Sequence, residues 1–382
     1  MINTCDGKVR LMTPATPPKF QRFPCPGCGA DLVYDPASEM MKCPSCGRTE
    51  PVNIPAGAHV AEESFEAALR NDPSVVEKLS ETALQVTCSG CGGTIEFQPP
   101  QVAGACPFCA AQIVAQPVGA EARIAPRGVL PFHTTKQQAS GSIKTWVSTR
   151  WFAPSALAKL ASQDTLRGIY IPFWTYDADT LSDYSGSRGE HYYVTEYVTE
   201  TDDQGNSRQV PTQVQRTAWY PASGRVSNNF DDVLITATKA VNRNRLNDLQ
   251  PWDLQQLKPY EPAYLSGFEA QRYQVPLDQG FNEAKEIMKR DIETSVARAI
   301  GGDEQRIDGI QTRYMNITFK HILLPVWIGA YRFQSRVFQV VVNARTGEVK
   351  GERPYSGAKI FMLVAAIIIF IVIIASLSHG GR

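Results

Sequence analysis

Alternating apolar and polar positions pick out strands along most of the middle of this chain. Met315, Ile317 and Phe319 alternate with Asn316, Thr318 and Lys320, and Phe338, Val340 and Val342 alternate before the turn residues 344–347; period two is the signature of a strand with one buried face. Two further alternating runs, HYYVTEYVTE and RQVPTQVQRTAWY, flank the polar turn DDQGN at 202–206 and predict a long β-hairpin. GVLPF at 128–132 reads as a short strand. GIYIPFWTYDAD, from Gly168, and HILLPVWIGAYRF, from His321, share an aliphatic pair, Pro, an apolar residue and Trp. We read them as two copies of one strand element.

Helical spacing is rarer. Ala284, Met288, Ile292 and Val296 stand four apart in 281–300, with Glu286–Arg290 and Lys289–Glu293 as favourable pairs and Gly301 as the stop. Thr135 is placed to cap a helix toward Arg150 with Ile143, Trp146 and Val147 inward. The stretch 61–84 predicts one or two short helices broken near Pro73, with Phe65, Leu69 and Val76 as a minor candidate partner-binding face. Helices beside mainly antiparallel hairpins define an α+β middle domain over 119–358.

At the C-terminus the pattern loses its polar phase. Ile360 to Leu377 contains no charge; as a helix it spans roughly 27 Å, the thickness a bilayer core requires. Lys350, Arg353 and Lys359 precede it and only Arg382 and His379 follow, so the positive-inside rule places the N-terminal bulk in the cytoplasm. The expectation is a single transmembrane helix at 359–378 with a short tail at 379–382, a cytoplasmic-membrane location and contact with lipid through Ile360 to Leu377.

The cysteines carry the strongest chemistry. Cys25, Cys28, Cys43 and Cys46 form two C-x-x-C pairs, and Cys88, Cys91, Cys106 and Cys109 repeat the same three gaps. A C-x-x-C turn aims two thiolates at one point, and two such turns supply the four soft ligands of a tetrahedral zinc ion. Disulfides would need an oxidising compartment, and no βαβ pattern supports thioredoxin-like chemistry around them. With all four positions filled by Cys, each ion is structural. Two Zn²⁺ ions and two β-ribbon modules are expected, ribbon 1 at 21–52 and ribbon 2 at 86–118, joined by a helical linker at 53–85. The tail at 1–20 reads as flexible, and Cys5 as an ordinary thiol. The fold class is therefore multidomain: two zinc ribbons, the α+β domain and the membrane helix.

Charge narrows the function. Lys plus Arg and Asp plus Glu number 38 each among 382 residues, so no bulk field draws the chain to nucleic acid. Ribbon 2 has no Lys or Arg and one acid, Glu96, a poor surface for phosphates. No phosphate-binding G-x-x-x-x-G-K-[ST] loop or G-x-S-x-G elbow occurs, and the five His lie far apart. Asp202-Asp203 and Asp231-Asp232 are open to reading as acids or metal ligands, though such pairs in turns usually cap and solvate. No catalytic residue is assigned.

CPGCGA with CPSCG, GIYIPFWTYDAD, RTAWYPASGRV followed by NNFDDVLI, and LLPVW leading to VNARTGEVKGERPYS together resemble bacterial membrane-anchored proteins carrying a TFIIB-type zinc ribbon. Such proteins are at times labelled primosomal protein N-prime or helicases, but no helicase motor is present. The resemblance implies a scaffold in envelope-stress response, with phage-shock protein A-like and flotillin-like (SPFH) proteins as partners. The reading is a non-enzymatic, membrane-anchored zinc-ribbon adaptor; the alternative is a membrane-tethered nucleic-acid-binding protein.

Overall fold

A computed structural model describes residues 23–72, 75–78, 84–88, 92–97, 103–105, 108, 112–114, 122–149, 166–201, 205, 207–333, 336–352 and 357–379. Three very long strands dominate it: Leu166–Thr201, Ser207–Thr236 and Glu304–Phe333. The first is central, antiparallel to both others. Gly128–Val129 joins the third strand in parallel, and Arg336–Asn343 joins it antiparallel. The expected 168–179 and 321–333 strand elements are direct antiparallel neighbours, with Ile171 opposite Leu324 and Gly168 opposite Trp327.

Each copy carries a proline inside a strand, where a missing N–H normally breaks a ladder. Pro172 lies one residue beyond the ladder of the second strand, which begins at the Phe173–Thr236 pair. Pro325 lies one residue beyond the Val326–Asn343 pair. Both prolines thus stand where an outer ladder has already ended.

Alternation divides the core between the two sheet faces. On one face Tyr170, Trp327, Val340 and Val342 pack with Phe132, Ile143 and ribbon 1. Farther along the same face, Trp174, Tyr176 and Phe319 pack against helix Leu277–Ile300. On the opposite face Ile169, Ile171, Phe173, Ile322, Leu324 and Val326 pack with Leu246, Leu249, Cys88 and Phe108.

Helix Leu277–Ile300 buries the expected stripe and begins four residues before Phe281. Its entry is fixed by aromatic donors: Trp174 Nε1 donates to Val275 O at 2.9 Å and Tyr176 Oη to Leu277 O at 2.7 Å. Gly280 leaves no room for a Cβ against Tyr176. Helix Lys136–Ser148 opens on a full capping box between Thr135 and Gln138.

Two expectations are corrected. The fold is largely one big antiparallel sheet with few helices, not an α+β domain. The described part of 53–85 holds one five-residue helix, Phe65–Leu69, and strands Glu63–Ser64 and Val76–Lys78, which join the ladders of 318–319 and 122–124. The long strands run through polar residues such as Thr180, Ser182 and Asp183, each of which stays in register. The second correction concerns the C-terminus. A helix runs over Gly357–His379. Among the described residues no helix is long and apolar enough to cross a membrane. That finding overturns the expected single transmembrane helix and the cytoplasmic-membrane location built on it.

Candidate metal centre

Ribbon 1 is a three-stranded sheet of Val33–Asp35, Met40–Lys42 and Thr49–Glu50. Its knuckles repeat one set of bonds. Gly29 N donates to Cys25 O at 2.8 Å and Cys25 N to Ala30 O at 2.7 Å; Gly47 N donates to Cys43 O at 3.0 Å and Cys43 N to Arg48 O at 2.8 Å. Gly29 and Gly47 take φ 76° and 75°, a left-handed turn that glycine adopts without a Cβ penalty. The turns fold each C-x-x-C so that both thiols point the same way.

The four sulfurs converge. Cys25 Sγ stands 3.6 Å from Cys46 Sγ and Cys28 Sγ 3.4 Å from Cys43 Sγ, and all four lie within 4.8 Å of one another. These separations far exceed the roughly 2.05 Å of a disulfide. A zinc ion with bonds of about 2.3 Å holds its sulfurs about 3.8 Å apart, so the donor set fits a tetrahedral ion. Cys25 and Cys43 are buried toward the sheet, while Cys28 and Cys46 face solvent. Backbone N–H groups already favour thiolate: those of Cys46 and Ser45 lower Cys43 to about 6. Cys28 rises to about 12, despite the Ala30 N–H, because it shares protons with Cys43 and Cys46.

The knuckle is built a third time at Cys88. Gly92 N donates to Cys88 O at 2.8 Å, Cys88 N to Gly93 O at 2.9 Å, and Gly92 takes φ 72°. Cys91, Cys106 and Cys109 lie outside the described residues. Cys88 and Phe108 are buried on the sheet face opposite ribbon 1, and Gln274 Nε2 ties the knuckle down by donating to Gly92 O at 2.6 Å.

Ribbon 1 is locked onto the sheet. Tyr34 N donates to Ser266 O at 3.0 Å and Ser266 Oγ to Leu32 O at 2.7 Å. Leu32, Tyr34 and Met41 share one core with Phe132 and Trp327. Burial, followed by the charge of Glu39, raises the Tyr34 hydroxyl well above its ordinary range. Glu39 meets His133 Nδ1 at 3.0 Å.

Of the acidic pairs, Asp202-Asp203 lies outside the described residues. Asp231 and Asp232 come together with Asp177. Asp177 sits where both ladders of the central strand slip register, and its Oδ1 accepts from Asp232 N at 2.6 Å. Lys320 Nζ lies 2.8 Å from Asp232, 3.1 Å from Glu62 and 3.7 Å from Asp177. Burial opposes its charge, but Asp232, Asp177 and Glu62 outweigh that and raise Lys320; burial raises Asp177 as well. The ammonium stands where a dication would have to sit, so we read this group as an ion cluster that holds a double bulge. Sequence reasoning missed Asp177, Glu62 and Lys320, because only the slipped register brings them to Asp232.

Over 344 residues the chain is 24% identical to the uncharacterized protein YdjG of Bacillus subtilis (strain 168), covering 88% of this chain and 91% of that protein. No family model matches the chain, and no solved structure matches it.

Proposed function

We propose that the protein is a non-enzymatic adaptor: a sheet braced by zinc ribbons that presents a protruding β-arm to other proteins. The observation that carries this reading is the arm. Beyond Gly189, where the third strand begins at Glu304, only the first two strands continue among the described residues, paired through Thr201 and Ser207. Tyr192, Tyr193, Tyr197 and Val198 are all exposed there, Tyr197 at 67%. Clustered exposed aromatics are characteristic protein-binding anchors.

The metal chemistry agrees. A Cys₄ set leaves no coordination position for substrate, and the third knuckle at Cys88 supports a second zinc held by Cys88, Cys91, Cys106 and Cys109. In this reading each ion closes a ribbon on one of the two sheet faces, at the end of the central strand away from the arm. The family resemblance supplies phage-shock protein A-like and flotillin-like proteins as the partners to try first.

The test is a titration of the purified full chain with a phage-shock protein A-type protein and a flotillin-type protein, and in parallel with DNA and RNA at two salt concentrations. Protein binding weakened at least tenfold by Tyr192→Ser plus Tyr197→Ser supports the adaptor. Nucleic-acid binding with a steep salt slope and no protein binding refutes it.

A further inference from the structure

We infer that the arm is also a self-association element: two copies pair edge to edge, antiparallel, through residues 190–201 about a two-fold axis at Thr195. This goes beyond the adaptor reading and stands without it.

The backbone shows which groups are open. Asp303 N donates to Gly189 O at 2.9 Å, and His191 N donates to Asp303 Oδ2 at 2.7 Å. Odd-numbered residues therefore direct their N–H and C=O toward the side of the third strand. Strand alternation carries this to Tyr193, Thr195, Tyr197 and Thr199, beside which no strand lies among the described residues. A two-stranded ribbon is marginal in water, and three or more strands are needed for independent stability.

The two edges of the arm differ. Proteins guard open edges with proline, lysine and bulges. The returning strand has Pro211 and Pro221. The 190–201 edge has no Pro, Gly or Lys, and its register with the returning strand is unbroken from Ala178 to Thr201. Its acids are matched inside the arm: Glu190 with Arg188, Glu196 with Arg216 and Glu200 with Arg208.

The sequence of this edge complements itself. Antiparallel pairing about Thr195 sets Tyr193 opposite Tyr197, Tyr192 opposite Val198, His191 opposite Thr199 and Thr195 opposite its own copy; Glu190 falls opposite Glu200, each carboxylate held by an arginine of its own copy. Aromatic–aromatic, aromatic–β-branched and Thr–Thr are the favourable cross-strand pairs. The axis also keeps outward-facing odd residues opposite odd residues, as a hydrogen-bonded ladder requires. The midpoint of the open stretch falls between Thr195 and Glu196, so each arm fills the other's gap and ends near the partner copy's third strand. The product is a four-stranded platform with two sets of exposed tyrosines.

The test is sedimentation of the zinc-loaded full chain over a hundredfold concentration range, in a fixed mild detergent that covers the exposed apolar helix at 361–374. Hydrogen exchange is measured at both concentration extremes. The expected result is a monomer–dimer equilibrium whose dissociation constant rises at least tenfold in Tyr193→Lys plus Tyr197→Lys. Thr195→Pro, which removes only an outward N–H, should have the same effect. Gln213→Lys on the guarded strand should leave it unchanged, and amides of 193–199 should exchange more slowly at high concentration. A monomer throughout, or a dimer indifferent to all three edge substitutions, overturns the inference. Partner titration reads separately, so a monomer that still binds partner protein sinks the dimer alone.

Discussion

Tyr34 of ribbon 1 meets Tyr264 of the sheet body edge-on, their rings 5.4 Å apart. Neither residue belongs to the other's element, and more than two hundred residues separate them in the chain. The contact makes the first cysteine clasp part of the protein's core. A ribbon too small for a core of its own depends on its metal; here the sheet in turn depends on the ribbon, which covers Phe132, Phe268 and Trp327.

Truncating Tyr34 to Ala should therefore destabilise the whole protein by about 3–5 kcal/mol, the range for a large buried aromatic. Denaturant unfolding followed both by tryptophan fluorescence and by metal release checks this. One shared, shifted transition is expected. Loss of the ribbon alone, with the sheet transition unmoved, would mean the ribbon is a separate module.

Glycine at the knuckles is a second lever. Gly29→Ala and Gly47→Ala place a Cβ on left-handed backbone, at roughly 1–2 kcal/mol each. Both side chains would enter open space, so the loss reports backbone strain. Zinc affinity, measured by chelator competition, should fall about tenfold per substitution.

Replacing Lys320 by Met removes the cation from Asp177, Asp232 and Glu62. A loss of about 3 kcal/mol at pH 7 is expected, at the low end for a broken buried pair because Glu62 is half-exposed. Protonation of Asp177, already raised by burial, relieves the repulsion. The deficit should accordingly shrink as pH falls through the carboxylate range, and urea unfolding at pH 7 and pH 4 compares the two.

His321 predicts the opposite pH trend for the wild type. It is fully buried between Trp174 and Tyr273, with Nδ1 2.9 Å from Ile124 O, and burial lowers it to about 4. The unfolded chain binds this proton near pH 6.5 and the folded chain only near pH 4. Stability is thus fully present above pH 6.5 and falls by about 3 kcal/mol as pH drops to 4. His321→Gln should flatten that slope in urea titrations.

How far the fold was legible depended on the range of each signal. The hairpin around 202–206 and the stripe Ala284–Met288–Ile292–Val296 report local geometry, and the structure has both; the strand through 315–319 is present, but the register slip there leaves Met315 exposed while Phe319 is buried. Strand length was not legible, because Ser182, Thr180 and Gly186 sit in the ladder through neighbours fixed a hundred residues away. The Cys25–Cys46 cluster was legible because knuckle geometry is written within five residues. The docking of Tyr34 on Tyr264 and the meeting of Asp177 with Lys320 arise from tertiary register, which no local pattern encodes. At 360–377 composition alone suggested a bilayer span, an expectation the described helix residues did not sustain.

Zinc content per chain, by mass spectrometry of the intact native protein, tests the central claim most directly. The account predicts two zinc ions in the wild type, with one lost on Cys43→Ser and the other on Cys88→Ser. A metal-free chain, or sulfurs bridged as Cys25–Cys46 and Cys28–Cys43 disulfides, would contradict it.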